Sequence, residues 1–425
     1  MSIKESENTI FRNLIKLLTG EGIGRIIGLL VTPIITRIYG PGNMGVLTVF
    51  ISIVAIIGPF ACLSYPSSIP IDRNNNVAFN IICGSFLILT VTTLITCAVF
   101  YIGGNTLFEF LSIESIINYW WLIPIGLLFK GTYDILTQYN VRNKTFANLA
   151  KATVSQKIIG SLTKIALGML QFKPVGLLIG DVLTTSGGIT VLGRSLVKEC
   201  RNSYKQITIL GIKNALIRYK SFPVFRLPSQ ALLQLSGNLP ILFFAWRFND
   251  VTIGQIGLAR TMLSMPVTFI GTSVGRAFLG EVAQIGMNNG NTIYKITIDV
   301  MRRLFLFSLI PFLLVVLFGP WIFQIVFGSE WYDSGLYARM MAIYLIFQFM
   351  YSPIEEGIFN VFEKQHLVLL VESCRITIIL TVLSLSYYFE LSSMHTVLIY
   401  SIGLALQYLI GLAIILNVIR NSRTK

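Results

Sequence analysis

Stretches of about 20 consecutive apolar residues recur along this chain, and that is the length an α-helix needs to cross a hydrocarbon core of about 30 Å. Twelve can be drawn, at roughly 14–38, 43–66, 77–102, 115–139, 147–170, 174–196, 221–246, 253–280, 303–327, 334–359, 366–389 and 395–419. The 425 residues are 54% hydrophobic and only 12% charged, with a mean hydropathy of +0.72. A soluble domain needs a charged surface that this composition does not supply. The expected fold is an all-α integral membrane protein of about twelve transmembrane helices.

The first span is too long for a cleaved signal peptide and carries Glu21 and Arg25 after a mixed polar leader, MSIKESEN. Orientation follows from Lys and Arg, which accumulate in cytoplasmic segments. With the N-terminus inside, the outer side holds only Arg37, Lys173 and Arg247, and most of the 33 basic residues fall on the inner side. Both termini are expected in the cytoplasm. The net charge of +14 then reflects topology and calls for no nucleic-acid partner. Five scattered cysteines and two isolated histidines, His366 and His395, show neither disulfide nor metal-ligand spacing. No metal site is expected.

No outer loop is long enough to fold by itself. The longest inner connection, 198–220, separates spans six and seven. The expected organisation is an N-terminal lobe over 1–197, a basic cytoplasmic linker over 198–220 and a C-terminal lobe over 221–425. Apolar residues among the linker's bases (Ile209, Leu210, Ile212, Leu216) suit a helix on the anionic inner leaflet, and a solvated linker fits equally well. Lys16 and Arg226 stand 210 residues apart, as do Arg37 and Arg247, while Gly45 and Gly254 stand 209 apart. Two six-span repeats of the same topology would be related by an axis along the membrane normal, the layout of an alternating-access transporter.

Charges at membrane depth are costly and usually face protein or a water-filled cavity. The run Leu18 to Pro33, LTGEGIGRIIGLLVTP, sets Glu21 and Arg25 one helical turn apart beside glycines 20, 24 and 28. Lys130 with Asp134, Glu372 with Arg375 and Lys164 with Asp181 also read as local pairs. Lys157, Arg226 and Arg260 have no acidic neighbour on their own helices, and Glu355 and Glu356 remain near the inner end of span ten. The excess is cationic, which suits an anionic phosphate or diphosphate.

Three stretches carry a resemblance: ITRIYGPGNMGVLTVFISI (35–53), FPVFRLPSQALLQLSGNLPILFFAWRF (222–248) and IGLARTMLSMPVTFIGTSVGRAFLGEVAQ (256–284). They resemble the Wzx-type polysaccharide flippases, in the superfamily that also holds lipid II flippases and multidrug and toxin extruders. The resemblance implies two six-helix lobes in a V, in a bacterial inner membrane. It implies as substrate an oligosaccharide on undecaprenyl diphosphate, moved from the inner to the outer leaflet for O-antigen or another surface polysaccharide. Membrane lipids and the polymerase and chain-length proteins of the same pathway are the implied partners.

Basic residues lining the lobe interface carry over to Arg25, Arg226, Arg260 and Arg276, and Lys130 joins them as a candidate. Glu21, Asp134, Asp181, Glu355 and Glu356 are the candidate charge partners or ion-coupling residues. No cofactor is expected, and coupling to H+, Na+ or the membrane potential stays open. The chain departs from the family in Ser64-Tyr65-Pro66, where an Arg-Tyr-acid element is usual, and in Phe278-Leu279-Gly280-Glu281, where FLPE is usual. An extruder of cationic drugs would share the fold but would need an acidic cavity. A polymerase or ligase would need a sizeable outer loop, so an enzyme is not expected.

Overall fold

The computed structural model describes residues 3–72, 74–110, 114–203, 207–286 and 289–423, with side chains described from residue 22 onward except at 110, 114, 200–203, 365, 422 and 423. Among the described residues every regular element is helical. The α-helices are α1 (Ile3–Ile57), α2 (Asn75–Phe110), α3 (Leu122–Arg142), α4 (Phe146–Met169), α5 (Val175–Ser186), α6 (Ile189–Ser203), α7 (Ile209–Arg218) and α8 (Leu227–Arg247). They continue with α9 (Asp250–Ile285), α10 (Gly290–Phe327), α11 (Tyr332–Val361), α12 (Gln365–Tyr388) and α13 (Ser393–Arg423).

The expected spans map onto these helices with two economies. Spans one and two are both carried by α1, which turns at a single residue, Gly40 (φ 74°, ψ 172°), with Pro41 directly after it. That backbone conformation is essentially restricted to glycine. Span six is broken at Gly187 and Gly188 into α5 and α6.

Seven helical stretches among the described residues are long and apolar enough to span a membrane by themselves, beginning at residues 22, 75, 175, 250, 290, 366 and 393. Helices α3, α4, α8 and α11 fall outside that group. Their apolar runs are interrupted by Lys130 and Asp134, by Lys151, Lys157 and Lys164, by Gln230 and Gln234, and by Arg339, Glu355 and Glu356. The protein is an all-α, multi-pass membrane protein.

The chain divides into two compact units, residues 1–250 and 251–425. The division falls one helix later than the expected lobe boundary, because α8 packs against α1. In the first unit α1 lies on α4, α4 on α5, and α2 on both α3 and α7. Small residues permit the close approaches: a Cβ on Gly160 would collide with Thr184, 1.8 Å away, and one on Gly180 would reach Lys164 at 2.3 Å. Gly24 lies against Thr153 and Lys157 of α4, so this part of the glycine ridge serves helix packing. In the second unit α11 packs on α10 and α13, and α12 on α13.

The basic connection begins within α6, and its second described part runs from residue 207. Thr208 caps α7, accepting a 2.9 Å hydrogen bond from the Gly211 amide. Ile212 and Leu216 lie against Gly84 of α2, while Ile209 and Leu210 are 89% and 67% exposed. A helix that is half docked and half apolar-exposed, with Lys213 and Arg218 beside it, has the chemistry of an interfacial helix.

Candidate functional site

After Ile57 the chain cannot continue as a regular helix. It passes through a 3-10 turn (Gly58–Phe60), two left-handed residues, Leu63 (φ 48°) and Ser64 (φ 60°), and a second 3-10 turn (Tyr65–Ser68). Non-glycine residues held at positive φ are uncommon and cluster at functional sites. The irregular segment is tied down by Thr92, whose hydroxyl donates to the Ala61 carbonyl at 2.7 Å, and by Tyr65, which donates to the Leu216 carbonyl at 3.2 Å. A second irregularity faces it, a π-turn at Phe222–Arg226 that opens α8. π-turns also occur disproportionately at functional sites.

Between these two segments and α3 lies a cavity of about 250 Å³. Lys130, Asp134 and Gln138 project from one face of α3, one turn apart, and Arg226, Gln230 and Gln234 repeat the same spacing at the start of α8. Ser64, Ser67 and Thr137 add hydroxyls. The Thr137 hydroxyl is buried without a protein hydrogen-bond partner. Gly58 leaves room for the Lys130 ammonium, since a Cβ there would stand 2.3 Å from Lys130 Nζ. Two cations meet one carboxylate, and the rest of the wall offers neutral donors and acceptors. Such a lining can hold a diphosphate and bond sugar hydroxyls.

Lys130, Asp134 and Arg226 are thus brought together. Lys130 and Asp134 feel each other's charge, but they share the cavity wall instead of closing into a tight ion pair. Arg25 belongs elsewhere. It is half-buried beside α4, within the field of Lys157, which also faces Lys164 and Asp181. Asp181 forms the expected pair with Lys164 at 2.9 Å. The Glu21 side chain lies outside the described residues.

In the second unit, Arg260 on α9 faces the buried Tyr344 of α11. Adjacent positions on a helix point about 100° apart, and Glu355 and Glu356 diverge accordingly. Glu356 joins Arg276 in a polar cavity of about 370 Å³ with Thr268, Thr272, Gln348 and Ser352. Glu355 instead turns toward Tyr351, Glu372 and Arg375. The expected Glu372–Arg375 contact is present at 3.7 Å. The rings of Tyr344, Tyr351, Tyr400 and Tyr408 pack around this group.

The uncharged members of the first cavity were not singled out from sequence, because only charges were followed into the membrane. The signal was present: Arg226, Gln230 and Gln234 recur every fourth residue in RLPSQALLQ.

The described residues form an all-helical membrane chain with two compact units and a polar, charged cavity within the first. The family of polysaccharide biosynthesis proteins matches over residues 34–335, and the chain belongs to it. None of the curated proteins matches the chain in sequence. Among solved structures, the lipid II flippase MurJ in an inward closed conformation has a TM-score of 0.71 at 13% identity, covering 97% of this chain and 91% of that one. An inward-facing multidrug resistance MATE family transporter of the MOP superfamily has a TM-score of 0.65 at 15% identity, covering 96% and 95%. A MATE protein in complex with MaD5 has a TM-score of 0.62 at 17% identity, covering 98% and 97%. The chain shares the fold of these transporters.

Proposed function

We propose that this protein is a flippase that moves an undecaprenyl-diphosphate-linked oligosaccharide from the cytoplasmic to the periplasmic leaflet by alternating access. Membership of the polysaccharide biosynthesis family supports the pathway. The observation that carries the reading is the first-unit cavity, where Lys130 and Arg226 outnumber Asp134 among amides and hydroxyls. The cations match a diphosphate, and the neutral groups match sugar hydroxyls. Arg25, Arg260 and Arg276 are proposed as further cationic contacts along the path.

The distribution of Lys and Arg favours a bacterial inner membrane orientation with both termini cytoplasmic. In that orientation a lipid diphosphate carries about two negative charges outward, and an inside-negative potential of 100 mV favours each by roughly 2.3 kcal/mol. The potential can therefore assist export. Asp181, Glu355 and Glu356 stay as candidates for coupling a proton or Na+. The 1–197 and 221–425 lobes remain the proposed moving parts, and the polymerase and chain-length proteins of an O-antigen or related pathway the proposed neighbours. No catalytic chemistry is required of any residue.

The test is a complementation panel in which strains lacking flippases for different repeat units receive this gene and are scored for surface glycan. Restoration in at least one strain, lost with Arg226→Ala, is the expected result. Resistance to cationic drugs without restoration in any strain would favour the extruder reading that the shared fold also accommodates.

A further inference from the structure

The second unit contains two cavities that follow one another along α9 and α11 and share the lining residue Val267. One is apolar, of about 180 Å³, between residues 262–267 of α9, 307–315 of α10 and 342–349 of α11. The other is the polar cavity of Arg276 and Glu356, and Val267 lines both. Helix α9 is pinned to the unit on either side of the apolar slot. Gln255 donates to the Glu330 carbonyl and bonds Ser334 at one end. At the other end Gly275 meets Pro353, and Phe278 lies against Gly357. Between these anchors α9 stands off and the slot opens. Its floor, Ala342, Ile346, Phe349 and Phe323, is buried, and its mouth, Pro266, Phe307 and Pro311, is exposed.

From Leu263 to Arg276 is about 20 Å along α9, at about 1.5 Å per residue. A compact solute would occupy one cavity or the other, whereas a chain with a polar head would occupy both. The outer face of α10 beside the mouth exposes Leu306, Ile310, Leu313 and Leu314. That surface belongs in hydrocarbon, so a lipid chain can enter sideways without leaving the apolar phase.

We propose that the α9–α10–α11 slot receives a segment of the isoprenoid chain of a lipid-linked saccharide while the Arg276–Glu356 cavity receives part of its polar head. Hydroxyls of Thr268, Thr272 and Ser352 and the Gln348 amide suit sugar, and Arg276 suits either sugar or phosphate. The assignment rests on the flippase reading for the identity of the chain.

The experiment uses the full-length protein in nanodiscs of phosphatidylethanolamine and phosphatidylglycerol. The probe is a polyprenyl diphosphate bearing one glucose and a diazirine within its chain, and labelled peptides are mapped by mass spectrometry. The expected labels fall at 262–267, at Phe307, Ser308, Pro311, Phe312 and Val315, and at 342–349, and excess unlabelled compound competes while excess phosphatidylglycerol does not. Val315→Trp or Met262→Trp, each accepted if monodisperse, should lower the yield several-fold.

Labels spread over Leu306, Ile310 and Leu313 that phosphatidylglycerol removes equally well would mean ordinary surrounding lipid and overturn the proposal. The wild-type map decides the matter even if both variants misfold. Labelling needs no transport, so a correct map with failed complementation would sink the flippase reading alone. Successful complementation with labels elsewhere would sink only the slot.

Discussion

The phenol of Tyr219 donates a 2.8 Å hydrogen bond to the carboxylate of Asp72, 147 residues earlier in the chain. Asp72 is almost wholly buried and also accepts from the Asn74 amide at 2.8 Å, with Arg218 3.4 Å away. Arg142 closes the arrangement by donating to the backbone carbonyls of Ile69, at 3.1 Å, and of Asp72. The end of the basic connection is thereby fastened to the loop before α2 and to the end of α3.

This latch should be acid-sensitive. Burial pushes the Asp72 carboxyl upward, but the Asn74 amide, the Tyr219 phenol and the charges of Arg218 and Arg142 outweigh it and hold the group below its ordinary value. A depressed carboxylate stabilises the fold fully above its unfolded pKa of about 3.9 and loses that stabilisation as pH falls through the folded value. Thermal melts from pH 7 to pH 3 should show the wild type losing stability below about pH 4. Asp72→Asn should start lower at pH 7 and lose less on acidification, and an identical slope in both proteins would contradict the latch.

Arg226→Ala should reduce surface glycan at least tenfold with unchanged membrane levels, whereas Arg226→Lys should retain part of the activity, because lysine keeps the charge but not the planar fork. Lys130→Ala should behave like Arg226→Ala. The check is glycan staining normalised to protein in the membrane.

Gly58→Ala places a methyl group against the Lys130 ammonium and its Cε, 2.3 and 2.9 Å away. The far end of a lysine moves cheaply, so the melting temperature should change little. Glycan export should fall, because the charge leaves the cavity wall. A large loss of stability with normal export per folded molecule would show that the glycine matters only for packing.

Lys164→Ala strands Asp181, whose partner is otherwise 2.9 Å away with both side chains largely buried. Breaking a pair of this kind costs about 3 kcal/mol, since a buried charge is left without compensation. The double variant Lys164→Ala with Asp181→Ala should recover much of the loss in a thermal melt, as the orphaned charge is then gone.

The helical membrane architecture was legible because hydrocarbon thickness imposes a length that apolar runs display directly, and the Lys164–Asp181 pair because equal depth on a short hairpin puts two residues side by side. The joint at Gly40 falls in the gap drawn between spans one and two, 39–42, but hydropathy did not show that a single non-helical residue makes the whole turn. Charge alone did not assign Arg25 and Arg226 to different surroundings. Their separation depends on α1 packing its glycine face on α4 while the π-turn aims Arg226 toward α3, and neither contact follows from spacing along one helix. The Asp72 latch joins residues remote in sequence, and no local pattern announces it.

Gly40 and Pro41 also decide where the molecule can be handled. With one non-helical residue joining two membrane helices, there is no stretch of chain at that turn to accept an epitope, a cysteine-label site or a protease sequence, and an insertion would have to unwind a helix end to fit. A failed tag at residue 40 would report the absence of slack there, not the side of the membrane on which the turn lies.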